Sequence, residues 1–426
     1  MTRPARILFV LNDTGGGATQ GILEMLSGLP SDAYQAYLAC PRKPNISQQT
    51  RFDQLTAGWR VVPMVWWNRQ TAYPFVYRPV IWGRGMVRTG GRLLPWHRIL
   101  NLIQDWGIDL VYTTTSLIVE GALAARWADV PHIWHIKETI GSHGRVKFGL
   151  PDSWLTQFYN ATAARILVMT NYIGEIFMRQ NQAQKMTVVY DGVEIERFRN
   201  HQRGTALRQQ LGMGEDEVLI GMVAALSATW KQHRYFVEMA AQLASRYPQA
   251  RFAAFGTPPP RKRNPLYRRT WYHFQQLQQQ VQEAGLGNKF LWPGFVGDIP
   301  QLMAALDVLV HPCAIEPFGR VAIEAMAAGR PVIGPNQGGI VESVVDGQTG
   351  LLVEPASGAA LAAAAGRLIE NPSLRRQMGA SGRAHVAARF SLTQHVQQMQ
   401  DIFATIINQN EPDPTRNRPV ETIHAP

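Results

Sequence analysis

The stretch from residue 311 to 334, HPCAIEPFGRVAIEAMAAGRPVIG, decides both the fold and the site. Two glutamates, Glu316 and Glu324, stand eight positions apart in it, with Pro317 and Gly319 between them. Proline and glycine disfavour a helix around Glu316, whereas RVAIEAMAAG is typical of a helix that ends at its glycine. The two carboxylates are therefore expected on different elements. They are poorly placed to flank one bond and better placed to hold the two ends of a long ligand.

The first turn of this predicted helix lies between the two glutamates. Its unpaired backbone amides, at Gly319, Arg320 and Val321, favour an anion because the helix dipole concentrates positive charge there. The order along the chain is therefore carboxylate, anion site, carboxylate. A nucleotide-sugar has the matching order of sugar hydroxyls, diphosphate and ribose hydroxyls, and carboxylates accept hydrogen bonds from hydroxyls. The alternative is purely structural: Glu316 caps the helix and Glu324 lies on the surface.

The composition is that of a folded protein with two domains. Of the 426 residues, 46% are apolar and 17% charged, and this length suits two domains of roughly 200 residues each. No run of 18 apolar residues is present, so a membrane-spanning helix is not expected. The first apolar run covers only residues 7–11, which fits a strand and not a secretion signal. Cys40 and Cys313 lack CxxC spacing, which disfavours a disulfide framework or a zinc site and favours a reducing cytoplasm.

Short apolar runs alternate with helical patterns along the chain, which is the signature of parallel βαβ units. This alternation is interrupted by a polar, glycine-containing stretch from 191 to 217 and resumes after it. We therefore predict two α/β domains with open parallel sheets, over 1–195 and 196–390, that face each other across a cleft. Ligands are expected at the carboxyl ends of their strands. A closing helix is expected over 391–410 and a proline-rich, disordered tail over 411–426.

The net charge of +11 is most apparent in two segments. Between Asp53 and Asp105 no acidic residue occurs, and arginines alternate with tryptophans and tyrosines; a second basic cluster spans 258–273. Solvated loops with aromatic anchors would account for both segments, and so would a surface for anionic membrane lipid or an anionic acceptor. Nucleic acid is the third alternative, and it is disfavoured because no recognised binding module is present.

The motifs together resemble one known family. The pattern E-P-F-G-x-x-x-x-E, preceded by DVLVHPC and followed by AMAAGRPVIG and GGIVESVVDGQTGLLV, is similar to that of glycosyltransferase family 4. The similarity extends from the TGGGAT loop to the closing helices and is strongest over 286–355. It implies the GT-B fold, in which two Rossmann-like domains face each other across a cleft. It also implies a retaining transferase that uses a nucleotide-diphosphate sugar.

The resemblance assigns roles to residues of the opening stretch. Glu316, as a catalytic residue, would contact the transferred sugar near the reacting carbon, and Glu324 would bind the ribose hydroxyls. Phe318 and Gly319 would shape the sugar pocket through their backbone groups. The full set of donor-binding residues that the resemblance implies is Gly16, Gly17, Lys231, Phe318, Gly319, Arg320, Val321 and Glu324.

Two motifs of the first domain are less specific on their own. In NDTGGGATQG, Gly16 and Gly17 let a backbone approach a phosphate or acceptor closely, although a structural turn is equally consistent. A dehydrogenase fingerprint would need glycine where Gln20 stands. In HIWHIKET, His135 lies nearer the carboxyl end of the strand than His132, and such a histidine is usually a core residue. In the resembled family, a histidine at this kind of place is catalytic and reaches the donor sugar.

The motif VAALSATWKQH departs from the family pattern at one position. Family members have an arginine and a lysine there, and both cations hold the diphosphate. Lys231 is present, but Ala225 stands at the place of the arginine. Either the basic loop at 261–269 supplies the missing cation or donor binding is weakened or altered. His233 and His311 are predicted to be structural.

We therefore expect a retaining hexosyltransferase that moves a sugar from a nucleotide-diphosphate donor to a glycan or lipid-linked acceptor. Its expected role is the synthesis of cell-surface polysaccharide or glycolipid, in the cytoplasm or peripherally at the inner face of the membrane. No cofactor and no metal are expected, because no acidic pair has the spacing of Mg²⁺ ligands. Two alternatives remain: a GT-B sugar-nucleotide epimerase, which has no separate acceptor, and a degenerate nucleotide-sugar-binding or scaffold protein, which Ala225 would favour.

Overall fold

The first domain is built on a parallel sheet of seven strands. The computed structural model describes residues 3–67, 96–199, 203–260 and 268–410. The sheet has the order β3-β2-β1-β4-β5-β6-β7, and every ladder in it is parallel. Its strands are β1 (Ala5–Val10), β2 (Tyr34–Cys40), β3 (Gly58–Val61), β4 (Leu110–Thr113), β5 (His132–Ile136), β6 (Arg165–Val168) and β7 (Met186–Val188).

The second domain repeats the architecture with six parallel strands in the order β10-β9-β8-β11-β12-β13. Buried strands such as VLV in β11 are apolar throughout because helices cover both faces of a parallel sheet. The strands are β8 (Val218–Val223), β9 (Ala250–Phe255), β10 (Phe290–Gly294), β11 (Val308–Val310), β12 (Val332–Pro335) and β13 (Gly350–Val353).

Helices connect the strands in both domains. Those described before residue 200 are α1 (Gly17–Gly28), α2 (Ile46–Leu55), α3 (Trp96–Trp106), α4 (Glu120–Trp127), α5 (Asp152–Ala161) and α6 (Asn171–Arg179). Those described after it are α7 (Arg203–Gln210), α8 (His233–Leu243), α9 (Arg268–Glu283), α10 (Ile299–Ala305), α11 (Arg320–Ala327), α12 (Gly358–Glu370), α13 (Pro372–Arg389) and α14 (Leu392–Gln409).

The two domains meet through loops at the carboxyl ends of their strands. Thr170, which caps α6 in the first domain, donates a hydrogen bond to the carbonyl of Pro317 in the second, at 2.7 Å. The Glu342 carboxylate accepts hydrogen bonds from the amides of Asn171 and Tyr172, each at 2.9 Å. A second-domain carboxylate therefore sits at the N-terminus of a first-domain helix, where the helix dipole favours it.

The last helix returns to the first domain. Residue Val193 pairs with Ser391, so the chain leaves the first domain and re-enters it at neighbouring points. Four apolar side chains of α14 pack into the same core as β1: Val396, Met399, Phe403 and Ile406. The predicted closing helix thus completes the first domain, although the chain reaches it after the second.

The predicted pair of parallel-sheet domains is confirmed. None of the helices in the described part of the chain combines the length and apolar content that crossing a bilayer requires. Parts of three predicted segments lie outside the described residues: 68–95 of the acid-free stretch, 261–267 of the second basic cluster, and the whole tail over 411–426.

Candidate functional site

Glu316 lies in the loop between β11 and α11, and its side chain is buried. Its Oε2 atom accepts hydrogen bonds from Lys231 Nζ and from His311 Nε2, the latter at 2.9 Å. Burial alone would raise the pKa of Glu316. The charge of Lys231 and the hydrogen bond from His311 outweigh burial, so this pKa lies below its ordinary value. Glu316 is therefore an ionised carboxylate that two side chains hold in place.

Lys231 ends a short 3₁₀ turn, Thr229–Lys231, that follows β8. Gln232 then adopts a left-handed conformation, with φ of 61°, and turns the chain into α8. The turn places Nζ against Glu316 and 4.3 Å from the centroid of the Trp230 ring. Ala225, at the start of the same loop, is exposed. The structure thus brings Lys231 and Glu316 together across 85 positions of sequence.

The first turn of α11 has the free amides that the sequence predicts. Gly319 precedes it with φ of 83°, a left-handed conformation that favours glycine, and no described side chain caps the helix. The amides of Arg320 and Val321 form no hydrogen bond with any described residue. Phe318 is buried and stacks on Tyr190, with ring centroids 6.0 Å apart. Of Phe318, only the backbone can therefore face a ligand.

The side chain of Arg320 joins the two domains. It pairs with Glu324 on its own helix at 3.0 Å, with Asp191 at 3.6 Å, and with Glu24 of α1. Burial raises the pKa of Glu324, although the charge of Arg320 opposes that shift. For Arg320, burial would lower the pKa, but the surrounding carboxylates raise it above its ordinary value. The ribose-binding role of Glu324 stays a prediction, and one of its oxygens is held by Arg320.

His135 lies in β5 and is completely buried. Its Nδ1 atom faces the Tyr112 hydroxyl, and its Nε2 atom has no hydrogen-bond partner among the described residues. Burial, followed by the charge of Lys137, lowers the pKa of His135 well below its ordinary value, so the ring is neutral. Lys137, just beyond β5, donates to Asp191 at 3.1 Å and thereby reaches the interdomain cluster. The predicted contact of His135 with the donor sugar stays a prediction.

The glycine loop opens α1 on the first-domain side. Gly16 is the N-cap residue, and no described side chain caps this helix. A Cβ atom at Gly17 would meet no described atom within 4 Å, and one at Gly16 would meet only Asp13 at 3.5 Å. The two glycines are therefore not needed for packing against the described chain. The space beside them can admit a ligand, and their predicted donor contacts remain predictions.

His311, Cys313 and Glu316 each offer one potential metal-ligating atom, and these atoms lie within 4.8 Å of one another. The surroundings oppose a metal. Lys231 already pairs with Glu316, and a second cation at that carboxylate would be repelled. Burial, followed by the charge of Glu316, raises the pKa of Cys313 to about 12, which disfavours the thiolate that binds metal. The expectation that no metal takes part stays a prediction that this charge pattern supports.

Several contacts add residues that the sequence pattern does not single out. His311, predicted to be structural, touches Glu316 directly. Glu24 and Asp191 hold Arg320 from the first-domain side. His311 directly follows a buried strand and stands five residues before Glu316, so its position is a signal from which its role could be predicted. Asp191 likewise follows a strand, β7, whereas Glu24 lies inside α1 and has no such local signal.

The comparison with known sequences matches both domains to one group of enzymes. A family described as "Glycosyltransferase Family 4" matches residues 15–197, and "Glycosyl transferases group 1" matches 204–385. A glycogen synthase of Mycobacterium tuberculosis is 27% identical over 373 residues, which cover 82% of this chain and 81% of that protein. A D-inositol 3-phosphate glycosyltransferase of Streptomyces scabiei is 32% identical over 292 residues, covering 66% and 59%.

Solved structures show the same architecture. HepE of Anabaena, in complex with UDP and glucose, superposes with a TM-score of 0.76 at 23% identity, covering 94% of this chain and all of that one. Sucrose-phosphate synthase of Thermosynechococcus elongatus gives 0.71 at 20% identity, covering 95% and 100%. The two facing domains therefore define a GT-B transferase, as predicted. Within that class the chain belongs to glycosyltransferase family 4, and it is a glycosyltransferase.

Proposed function

We propose that the enzyme transfers a hexose-type sugar from a nucleotide-diphosphate donor to a glycan or lipid-linked acceptor, with retention of the anomeric configuration. The proposed pathway is the synthesis of cell-surface polysaccharide or glycolipid. The observation that carries the donor class is the arrangement around α11: an ionised carboxylate at Glu316, a cation at Lys231, free amides at Arg320 and Val321, and a second carboxylate at Glu324.

The proposed chemistry follows from the charges of this arrangement. The bond between the anomeric carbon and the diphosphate oxygen breaks, and an acceptor hydroxyl oxygen forms the new glycosidic bond to that carbon. Negative charge develops on the leaving diphosphate, which takes up the proton that the acceptor hydroxyl loses. Lys231 and the amides at the start of α11 would stabilise that charge, since preorganised donors act most strongly where charge develops. Glu316 would accept hydrogen bonds from the sugar near the reacting carbon. The known complexes of HepE with UDP and with UDP-glucose support a nucleotide-sugar as the donor here as well.

The test is a product analysis with a panel of UDP- and GDP-sugars, each supplied with and without glycan and lipid-linked acceptors. Release of nucleotide diphosphate together with a new glycoside supports the proposal. The anomeric coupling constant of that product, measured by NMR, decides whether configuration is retained. Conversion of a donor alone into its epimer would favour the epimerase alternative. Tight donor binding without turnover on any acceptor would favour a degenerate binding protein.

We also propose that the first domain contacts anionic lipid at the inner face of the membrane. The acid-free stretch that motivates this lies largely outside the described residues. Exposed indoles of the described first domain support it, because tryptophan side chains favour the membrane interface: Trp66, Trp127 and Trp154. Binding to anionic vesicles that falls with rising salt is the expected result of co-sedimentation. Equal binding to neutral and anionic vesicles, or no binding to either, would contradict it.

A further inference from the structure

Three cations at the cleft are already neutralised by carboxylates. Lys231 pairs with Glu316, and Lys137 pairs with Asp191 at 3.1 Å. Arg320 is shared among three carboxylates, Asp191 included. All three side chains are largely buried, and the charge of each is already matched by a carboxylate. These residues alone leave the donor diphosphate short of uncommitted positive charge.

Arg145 supplies such a charge from the opposite domain. It lies in the loop between β5 and α5, and its backbone amide donates to Thr139 Oγ1 at 3.1 Å, which fixes the loop locally. Its guanidinium carbon lies 4.1 Å from the centroid of the Trp230 ring in the second domain. Within the described chain, this guanidinium forms no ion pair and no side-chain hydrogen bond, and the residue is exposed. Its donors are therefore available to a ligand.

Arg145 and Lys231 contact the same indole. Lys231 Nζ lies 4.3 Å from the ring centroid, so the two charges are no farther apart than the sum of the two distances, about 8 Å. Of these two cations only Lys231 has a carboxylate partner among the described residues, so Arg145, Lys231 and Glu316 together carry a net charge of about +1. An anion with several oxygens that reaches both side chains neutralises this charge and uses the free donors of Arg145. A diphosphate is such an anion.

We propose that Arg145 is the second side-chain cation for the donor diphosphate, in the role that Ala225 cannot fill. This inference rests on the proposed nucleotide-diphosphate donor. The arginine comes from the first domain and the lysine from the second, so donor binding ties the two domains together. Trp230 is the positioning residue, since its ring holds the guanidinium beside Lys231. An arginine fork also binds two oxygens at once, which a lysine does not.

The experiment measures the affinity for UDP, GDP, ADP and dTDP by calorimetry, and the nucleotide that binds most tightly is used for the variants. Arg145→Ala is expected to weaken binding about tenfold to a hundredfold, the loss typical of one charge-assisted contact. Arg145→Lys should fall in between, because the charge remains and the fork is lost. The matched control is Arg179→Ala, which removes the same charge from α6, where Arg179 pairs with Glu175 at 2.6 Å. Its nucleotide affinity should equal that of the parent.

A rescue variant separates this role from a general effect on the fold. Placing arginine at the exposed position 225, as Ala225→Arg in the Arg145→Ala background, should restore most of the lost affinity. Thermal melting should show all variants folded, since Arg145 is exposed. A parent that binds none of these nucleotides would overturn the proposed donor class and this inference with it. If the parent binds a nucleotide and Arg145→Ala binds it equally well, the inference about Arg145 is overturned while the proposed donor class stands. A higher KM for the acceptor in Arg145→Ala would not change that conclusion.

Discussion

Replacing Lys231 by alanine tests the geometry of the site most directly, because the lysine has two roles. It is proposed to bind the donor diphosphate, and it neutralises the buried Glu316 carboxylate. Removing one partner of a buried ion pair costs about 3–5 kcal/mol, since the remaining charge is left unpaired. The His311 hydrogen bond of 2.9 Å survives in Lys231→Ala. We therefore expect the lower end of that range, about 3 kcal/mol of the free energy of unfolding.

The double variant Lys231→Ala/Glu316→Gln separates the two roles. Glutamine carries no charge, so most of the lost stability should return. The affinity for nucleotide diphosphate should not return, because the cation is still missing; it should stay about tenfold to a hundredfold below that of the parent. Urea unfolding followed by circular dichroism gives the stability, and calorimetry with UDP and GDP gives the affinity.

The pH dependence of stability is a second measurement on the same variants. The folded pKa of Glu316 lies below its ordinary value of about 4.3. Its contribution is therefore fully present above that pH and is lost as the pH falls below it. The double variant should lose less stability than the parent over this acidic range.

If Lys231→Ala matches the parent in both stability and affinity, Lys231 does not belong to the site. If the double variant is no more stable than Lys231→Ala, the unpaired carboxylate is not the cause of the loss.

Three further substitutions probe other parts of the site. Glu316→Gln should lower turnover far more than donor affinity, because its proposed contact is with the reacting sugar; equal losses in both would contradict that role. Glu324→Ala should weaken nucleotide binding by about 1.5–3 kcal/mol in calorimetry, the value of a charged hydrogen bond, while Arg320 keeps Glu24 as a partner and the chain stays folded. Glu342→Ala removes the acceptor for two amides of α6 and should destabilise the contact between the domains, also by about 1.5–3 kcal/mol; unchanged urea unfolding would show that this contact carries no stability.

The fold could be predicted because its signals are local. Buried parallel strands are continuously apolar, and the intervening helices carry their own periodicity, so both sheets are visible in the sequence. The Glu316 loop and the start of α11 could also be predicted, because Pro317 and Gly319 mark where the helix begins. These elements can be predicted without knowing how the two domains are oriented.

The contacts across the cleft could not be predicted, because they join residues that are far apart in the sequence. Glu24 and Arg320 are 296 positions apart, and no periodicity links them. Arg145 and Trp230 meet only because a loop after β5 lies against a loop after β8. The sequence offers the basic loop at 261–269 as a substitute for the missing cation, and residues 261–267 of that loop lie outside the described part of the chain. Arg145, the substitute that we propose from the other domain, is visible only once the chain is folded.

The charge balance around Glu316 has a consequence for the order in which parts of the donor bind. Lys231 pairs with Glu316 and neutralises it. A diphosphate that attracts the lysine weakens this pair, and Glu316 then has the His311 hydrogen bond at 2.9 Å and an uncommitted share of its acceptor capacity. That capacity is what a sugar hydroxyl would use. Binding of the diphosphate would thus prepare the carboxylate for the sugar, so a free sugar without the diphosphate should bind poorly.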